Sequence, residues 1–212
     1  MASLSFLLAR SALRSSRYSA NHLIRSAFYS KEAPKTAADF LANETWARQM
    51  RDYFVVLDKN KNGLWSQEDW TIWIDNLKKA VEMDPKKEAK LREVHTKFGA
   101  KLGVTGPGIA LTVDEFMKAA ADFSSKKEEN SDFLTEVNQA WFEVVDTNKD
   151  GTISLSEYTK ILEACNMTAD VAKVVFDSID ANNNGKIELE ELLGVSHKFW
   201  FSTEPAIDPV AH

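Results

Sequence analysis

Three twelve-residue stretches repeat one pattern along the chain: Asp58 to Asp69 (DKNKNGLWSQED), Asp146 to Glu157 (DTNKDGTISLSE) and Asp180 to Glu191 (DANNNGKIELEE). Each begins with Asp, places oxygen-bearing side chains at positions 1, 3 and 5, and has Gly at 6 and a carboxylate at 12. The spacing suits a calcium ion, a hard cation that takes six to eight oxygens at ~2.3–2.6 Å, more than one helix or strand can aim at a point. A tight loop wraps the ion instead, and glycine supplies the φ > 0 turn that redirects the chain. Position 7 contributes its backbone carbonyl, which leaves that side chain free to vary. The candidate ligands are therefore Asp58, Asn60, Asn62, Leu64, Ser66 and Asp69 in the first loop. Asp146, Asn148, Asp150, Thr152, Ser154 and Glu157 follow in the next, and Asp180, Asn182, Asn184, Lys186, Glu188 and Glu191 in the last.

The flanks of each loop are helical in pattern. Phe133, Val137, Ala140, Trp141, Val144 and Val145 recur at helical spacing before Asp146, and Val171, Val174, Val175 and Ile179 share one face before Asp180. Trp46, Met50, Tyr53, Phe54 and Leu57 do the same before Asp58, and Trp70, Trp73, Ile74 and Leu77 after it. Helix–loop–helix units of this kind are EF-hands, and EF-hands pair through the residues around position 8. The loops at Asp146 and Asp180 make one pair. The partner of the first loop falls between residues 90 and 125, where Leu91, Val94 and Phe98 suggest an entering helix and Phe116, Ala119, Ala120 and Phe123 an exiting one. With Glu115 at position 12, Leu111 takes position 8, but Val104, Gly106 and Gly108 stand where ligands are needed. This hand keeps the scaffold without the ion chemistry. The predicted fold is all-α: four EF-hand units in two packed lobes, 36–125 and 131–204, with the polar stretch 124–132 as the linker and 205–212 as a tail.

The ligand sets differ in charge. The loops at Asp146 and Asp180 each supply three carboxylates, whereas the first supplies only Asp58 and Asp69. Asp69 is a methylene shorter than Glu, so bidentate contact is harder and the smaller Mg²⁺ better tolerated. Three Ca²⁺ sites are expected, the first being the weakest for calcium or holding Mg²⁺ at rest.

Charge is divided unevenly along the chain. Residues 1–30 carry Arg10, Arg14, Arg17 and Arg25 and no acid; taking those four charges from the total of −6 leaves the remainder at −10. A body so acidic repels nucleic acid and suits cations. The Arg- and Ser-rich opening has the character of a mitochondrial transit peptide, which predicts import to the matrix; without import the chain is cytoplasmic. No stretch is apolar enough to span a bilayer. The single Cys165 excludes an intramolecular disulfide and reads as a small buried hydrophobe. His22, His95, His197 and His212 are scattered, and no nucleophile–base or zinc-ligand spacing exists, so no enzyme is expected. His95, beside Val94 and Leu91, reads as a helix-surface or core residue.

A sensor opens on calcium and offers a methionine-lined groove to a target helix. After the first thirty residues this chain has only Met50, Met83, Met117 and Met167, one at a time, and rigid aromatics in their place. That composition favours a calcium and magnesium buffer over a sensor that opens to bind a target protein; no such target is indicated, and a monomer is expected. Four hands with the second lacking ligands, Asp69 closing the first loop, and HKFWFSTEP after the last helix resemble the invertebrate sarcoplasmic calcium-binding proteins, in the calexcitin- and photoprotein-like branch. The resemblance covers residues 45–204 and implies an intracellular Ca²⁺/Mg²⁺ buffer. The same superfamily holds photoproteins and coelenterazine- or luciferin-binding proteins. In photoproteins a His four residues before a Trp, with Tyr after that Trp, helps hold the luciferin. Here Ser196 takes the His position, Phe201 follows Trp200, and His197 is out of register. The six tryptophans, Trp46, Trp65, Trp70, Trp73, Trp141 and Trp200, are therefore expected to fill a core rather than line a ligand cavity.

Overall fold

The positions that end each loop also start each following helix. At all four hands the position-12 carboxylate is the third residue of the exiting helix and position 9 is its cap, so one side chain serves both loop and helix. Ser66 and Asp69, Thr112 and Glu115, Ser154 and Glu157, and Glu188 and Glu191 exchange these bonds. The donor-less hand keeps the same box, which accounts for its helix beginning where the others do.

The structure is a computed structural model that describes residues 35–164 and 168–204. The transit-like segment, Cys165 and the tail 205–212 lie outside those residues. Among the described residues there are nine helices. Helix α1 (Ala37–Ala42) precedes the first hand, formed by α2 (Glu44–Leu57), strand β1 (Trp65–Ser66) and α3 (Gln67–Ala80). The second hand is α4 (Pro85–Lys101), β2 (Ala110–Leu111) and α5 (Val113–Ser125). Then come α6 (Lys127–Val145), β3 (Ile153–Ser154) and α7 (Leu155–Ala164), and finally α8 (Ala169–Ile179), β4 (Lys186–Ile187) and α9 (Leu189–Phe201).

Two short antiparallel ladders join the hands in pairs. Trp65 faces Leu111 in one and Ile153 faces Ile187 in the other, position 8 against position 8 in both. The second hand thus keeps its pairing register although its loop geometry has changed. Gly63, Gly151 and Gly185 hold φ near +80° at position 6, each two residues after a left-handed Lys61, Lys149 or Asn183. In the second hand the positive φ falls at Gly108, one position early, and at Gly103.

The polar stretch 124–132, expected as a linker, is helical: α5 runs to Ser125, the chain bends at Lys126, and α6 begins at Lys127. It contains no Gly or Pro to break a helix, and its polarity is used internally. Asn130 is buried, donates to the Phe123 carbonyl at 2.9 Å and accepts from Lys101 at 2.9 Å.

The two pairs share one core. Helix α4 packs on α6, α3 on α7, and α9 on both α5 and α6, so buried side chains from Phe40 to Trp200 form a single cluster. Lys90 and Lys97 of α4 both reach Glu136 of α6. Phe98, Phe123 and Trp200 meet edge to face, joining α4, α5 and α9.

Candidate metal centres and an adjoining aromatic cavity

Each candidate loop is held by its own ligand side chains. The carboxylate at position 1 accepts from the backbone N–H of positions 5 and 6: Asn62 and Gly63 on Asp58, Asp150 and Gly151 on Asp146, Asn184 and Gly185 on Asp180. The side chain at position 3 accepts from the N–H of 5, and that at 5 from the N–H of 7, in all three loops. At position 12 one carboxylate oxygen accepts from the N–H of positions 2 and 3, and the other from position 9. Asp69 does this with Lys59, Asn60 and Ser66; Glu157 with Thr147, Asn148 and Ser154; Glu191 with Ala181, Asn182 and Glu188. Leu64, Thr152 and Lys186 take position 7, and Ser66, Ser154 and Glu188 position 9. The sequence-predicted residues are thus brought together in three loops of one geometry.

The electrostatics of these loops suit a cation. Asp69, Asp146, Glu157, Asp180 and Glu191 are buried. Among the described residues the one ion pair on a loop carboxylate is Lys186–Asp150, 3.6 Å across the β3–β4 link. Buried carboxylates without counter-charges are costly, and a bound cation removes that cost. Burial would raise the Glu157 carboxyl, but the Ser154 N–H and hydroxyl and the Thr147 hydroxyl hold it below its usual range. The Thr152 hydroxyl and N–H lower Asp150 in the same way. Among the described residues no three His, Cys, Asp or Glu side chains cluster alone, so each ion would take mixed donors: carboxylate, amide, hydroxyl and backbone carbonyl. That mixture is calcium or magnesium chemistry rather than zinc chemistry.

Beside the first loop lies an aromatic cavity of about 40 Å³, room for a few waters. Its wall takes Tyr53 from α2, Trp65 from β1, Trp70 and Trp73 from α3, His95 and Phe98 from α4, and Trp200 from α9. Leu134 and Val137 of α6 close it, and Lys59 and Asp69 bring the first loop to its edge. Four of the six tryptophans expected as core therefore face this space; Trp46 and Trp141 are core, 1% and 0% exposed. His95, read from the sequence as a surface or core residue, is part-buried against Trp73 with ring centroids 4.7 Å apart. The signal for it was present in its spacing, since His95 and Phe98 lie one turn apart on α4.

Ser196 and Phe201 close the comparison with the photoprotein triad. Ser196 is fully buried and its hydroxyl accepts from Asn138 at 3.0 Å, while His197 stands outside the cavity wall, edge-on to Phe201.

Comparison with known proteins bears on both features. The family described as EF hand matches residues 139–162 and 172–196, the second pair of hands. A luciferin-binding protein of Renilla reniformis is 28% identical over 160 residues, 74% of this chain and 86% of that one. The calcium-loaded apo form of the coelenterazine-binding protein of Renilla muelleri is 27% identical with a TM-score of 0.59, covering 75% of this chain and 89% of that one. The magnesium-loaded apo form of berovin, a ctenophore photoprotein with magnesium in all three calcium-binding loops, shares the fold with a TM-score of 0.63. It is 21% identical, over 77% of this chain and 94% of that one.

Proposed function

We propose that this calcium-binding EF-hand protein carries an aromatic small molecule of the coelenterazine class in the cavity beside its first loop, and that calcium at that loop governs the hold. The observation that carries the reading is the shared wall: Asp69, which closes the first loop, and Trp65, at position 8 within it, also line the cavity. An ion that draws on Asp69 therefore acts on the ligand site through one or two residues. The likeness to the luciferin-binding protein of Renilla reniformis supports this reading over the sarcoplasmic buffer that the loop pattern alone suggests.

The donor sets fit Ca²⁺ at three loops. Mg²⁺ suits the first, where Asp69 stands in place of Glu, and berovin binds magnesium in its loops. The protein binds and releases rather than catalyses. Its Arg-rich opening supports a matrix address, which a fluorescent fusion of residues 1–40 tests; cytosolic fluorescence would sink it.

A second reading, a Ca²⁺/Mg²⁺ buffer, is favoured by the size of the cavity. Drug-sized ligands occupy pockets of roughly 300–1,000 Å³, so coelenterazine would have to part the aromatic walls. Incubation of the full chain with coelenterazine, with chelator and then with calcium, separates the two readings. A carrier quenches tryptophan fluorescence at stoichiometric ligand and loses that quenching when calcium is added. A buffer binds three ions and leaves the fluorescence insensitive to coelenterazine.

A further inference from the structure

The polar groups on the cavity wall are few, and its one carboxylate is already engaged. Both oxygens of Asp69 accept backbone N–H groups of the first loop. His95 is different. Its Nδ1 lies 2.8 Å from the Leu91 carbonyl, one turn back on α4. A carbonyl oxygen can only accept, so Nδ1 carries the ring hydrogen and Nε2 is left with a bare lone pair. Burial drives the imidazole pKa down to about 3, against the pull of that hydrogen bond, so the ring is neutral at any physiological pH. Its face is covered by Trp73, whose own enclosed Nε1–H has no partner among the described residues. Tyr53, also on the wall, keeps its phenolic hydrogen because burial raises its pKa well above the ordinary value.

We propose that His95 Nε2 is the residue that sets ligand specificity, accepting a hydrogen bond from an O–H or N–H on a neutral aromatic heterocycle, and that molecules without a donor at that point are rejected. The inference rests on the carrier reading above and names the chemistry of its site. An unpartnered acceptor buried beside a ligand costs about 1–3 kcal/mol, and that cost falls on every ligand that leaves Nε2 bare. A cation finds no free carboxylate here, since Asp69 is engaged. A carboxylate ligand would set its charge against Nε2 and against Asp69.

The test compares the wild-type full chain with His95→Phe, which keeps a stacking ring and removes the acceptor, and His95→Gln, which returns an amide oxygen. The probes are coelenterazine and analogues in which each O–H is replaced by H, or the ring N–H by N–CH₃. His95→Phe should weaken coelenterazine at least tenfold, and His95→Gln should recover part of the loss. For one analogue, the one lacking the group that His95 holds, His95→Phe should bind at least as tightly as the wild type, because the acceptor left bare is gone. Equal affinity of wild type and His95→Phe for coelenterazine overturns the inference and leaves the carrier reading intact. A loss of the same size for every analogue also overturns it, because it marks a merely structural role. Failure of the wild type to bind coelenterazine removes the carrier reading at the first step, and this inference with it.

Discussion

Gly99 lies so close under the Trp70 indole that a Cβ in its place would stand 2.5 Å from the ring. The contact joins α4 to α3 at the wall of the cavity, and Trp70 cannot move aside freely because it also packs on Trp65 at 5.4 Å. Gly99→Ala should therefore overpack the interior and cost about 1–3 kcal/mol, although alanine has the better helix propensity. Thermal melting with calcium saturating checks the stability loss, and tryptophan emission should shift as the Trp70 ring is displaced. A melting temperature equal to or above wild type would mean that the indole has room to retreat.

His95 also makes stability depend on pH. Its folded pKa of about 3 lies below the ordinary value of 6.5, and desolvation is the main cause. A group depressed in this way contributes stability that is present above the unfolded value and is lost as pH falls toward the folded one. Between pH 6.5 and 5, at saturating calcium, the chain should lose about 2 kcal/mol from His95. His197, also lowered by burial, adds to the slope in the same direction. Denaturant unfolding of His95→Phe across this range should give a flatter profile; an unchanged slope would contradict the assignment.

Asp69 makes the same three backbone contacts as Glu157 and Glu191 with a shorter side chain, and it is fully buried. Asp69→Glu should raise calcium affinity at the first loop severalfold and lower that for magnesium, since bidentate reach favours the larger ion. Asp69→Asn should abolish binding there and leave two ions in a calorimetric titration. Three ions bound to Asp69→Asn would show that the third site does not need the Asp69 carboxylate.

Lys186, at position 7 of the last loop, reaches a ligand carboxylate of the neighbouring loop, Asp150. The pair is solvent-exposed, so it is worth roughly 0.2–1 kcal/mol. Lys186→Met should tighten calcium at the Asp146 loop by about two- to fivefold in low salt, with the gain shrinking as salt rises. An affinity unchanged in low salt would show that the lysine does not compete with the ion.

The loops were legible in the sequence because all their chemistry is local. Position 12 caps the helix it opens, glycine makes the turn, and both rules act within twelve residues. The register of the donor-less hand was legible for the same reason, since Glu115 and Leu111 keep their spacing when the ligands are gone. The helical course of 124–132 on either side of Lys126 was missed because its polar side chains read as solvated, whereas Asn130 turns inward to Phe123 and Lys101. The cavity was missed for a different reason. Helical periodicity says which face of α3 is apolar, and Trp70 and Trp73 lie on it whether they fill a core or border a space. Only the meeting of α2, α3, α4 and α9 decides between the two, and that meeting joins residues as distant as Tyr53 and Trp200, which pack edge to face at 5.6 Å.

The ladder between Trp65 and Leu111 ties a loop with donors to a loop with none. The second pair sets two donor-bearing loops against each other across Ile153 and Ile187, so with calcium in both it would fill steeply over a narrow range. The first pair carries a full ligand set on one side only, so with calcium it would fill gradually. With calcium bound, one chain would answer it on two scales, steeply at the loop pair that lies away from the cavity and gradually at the single loop that borders it.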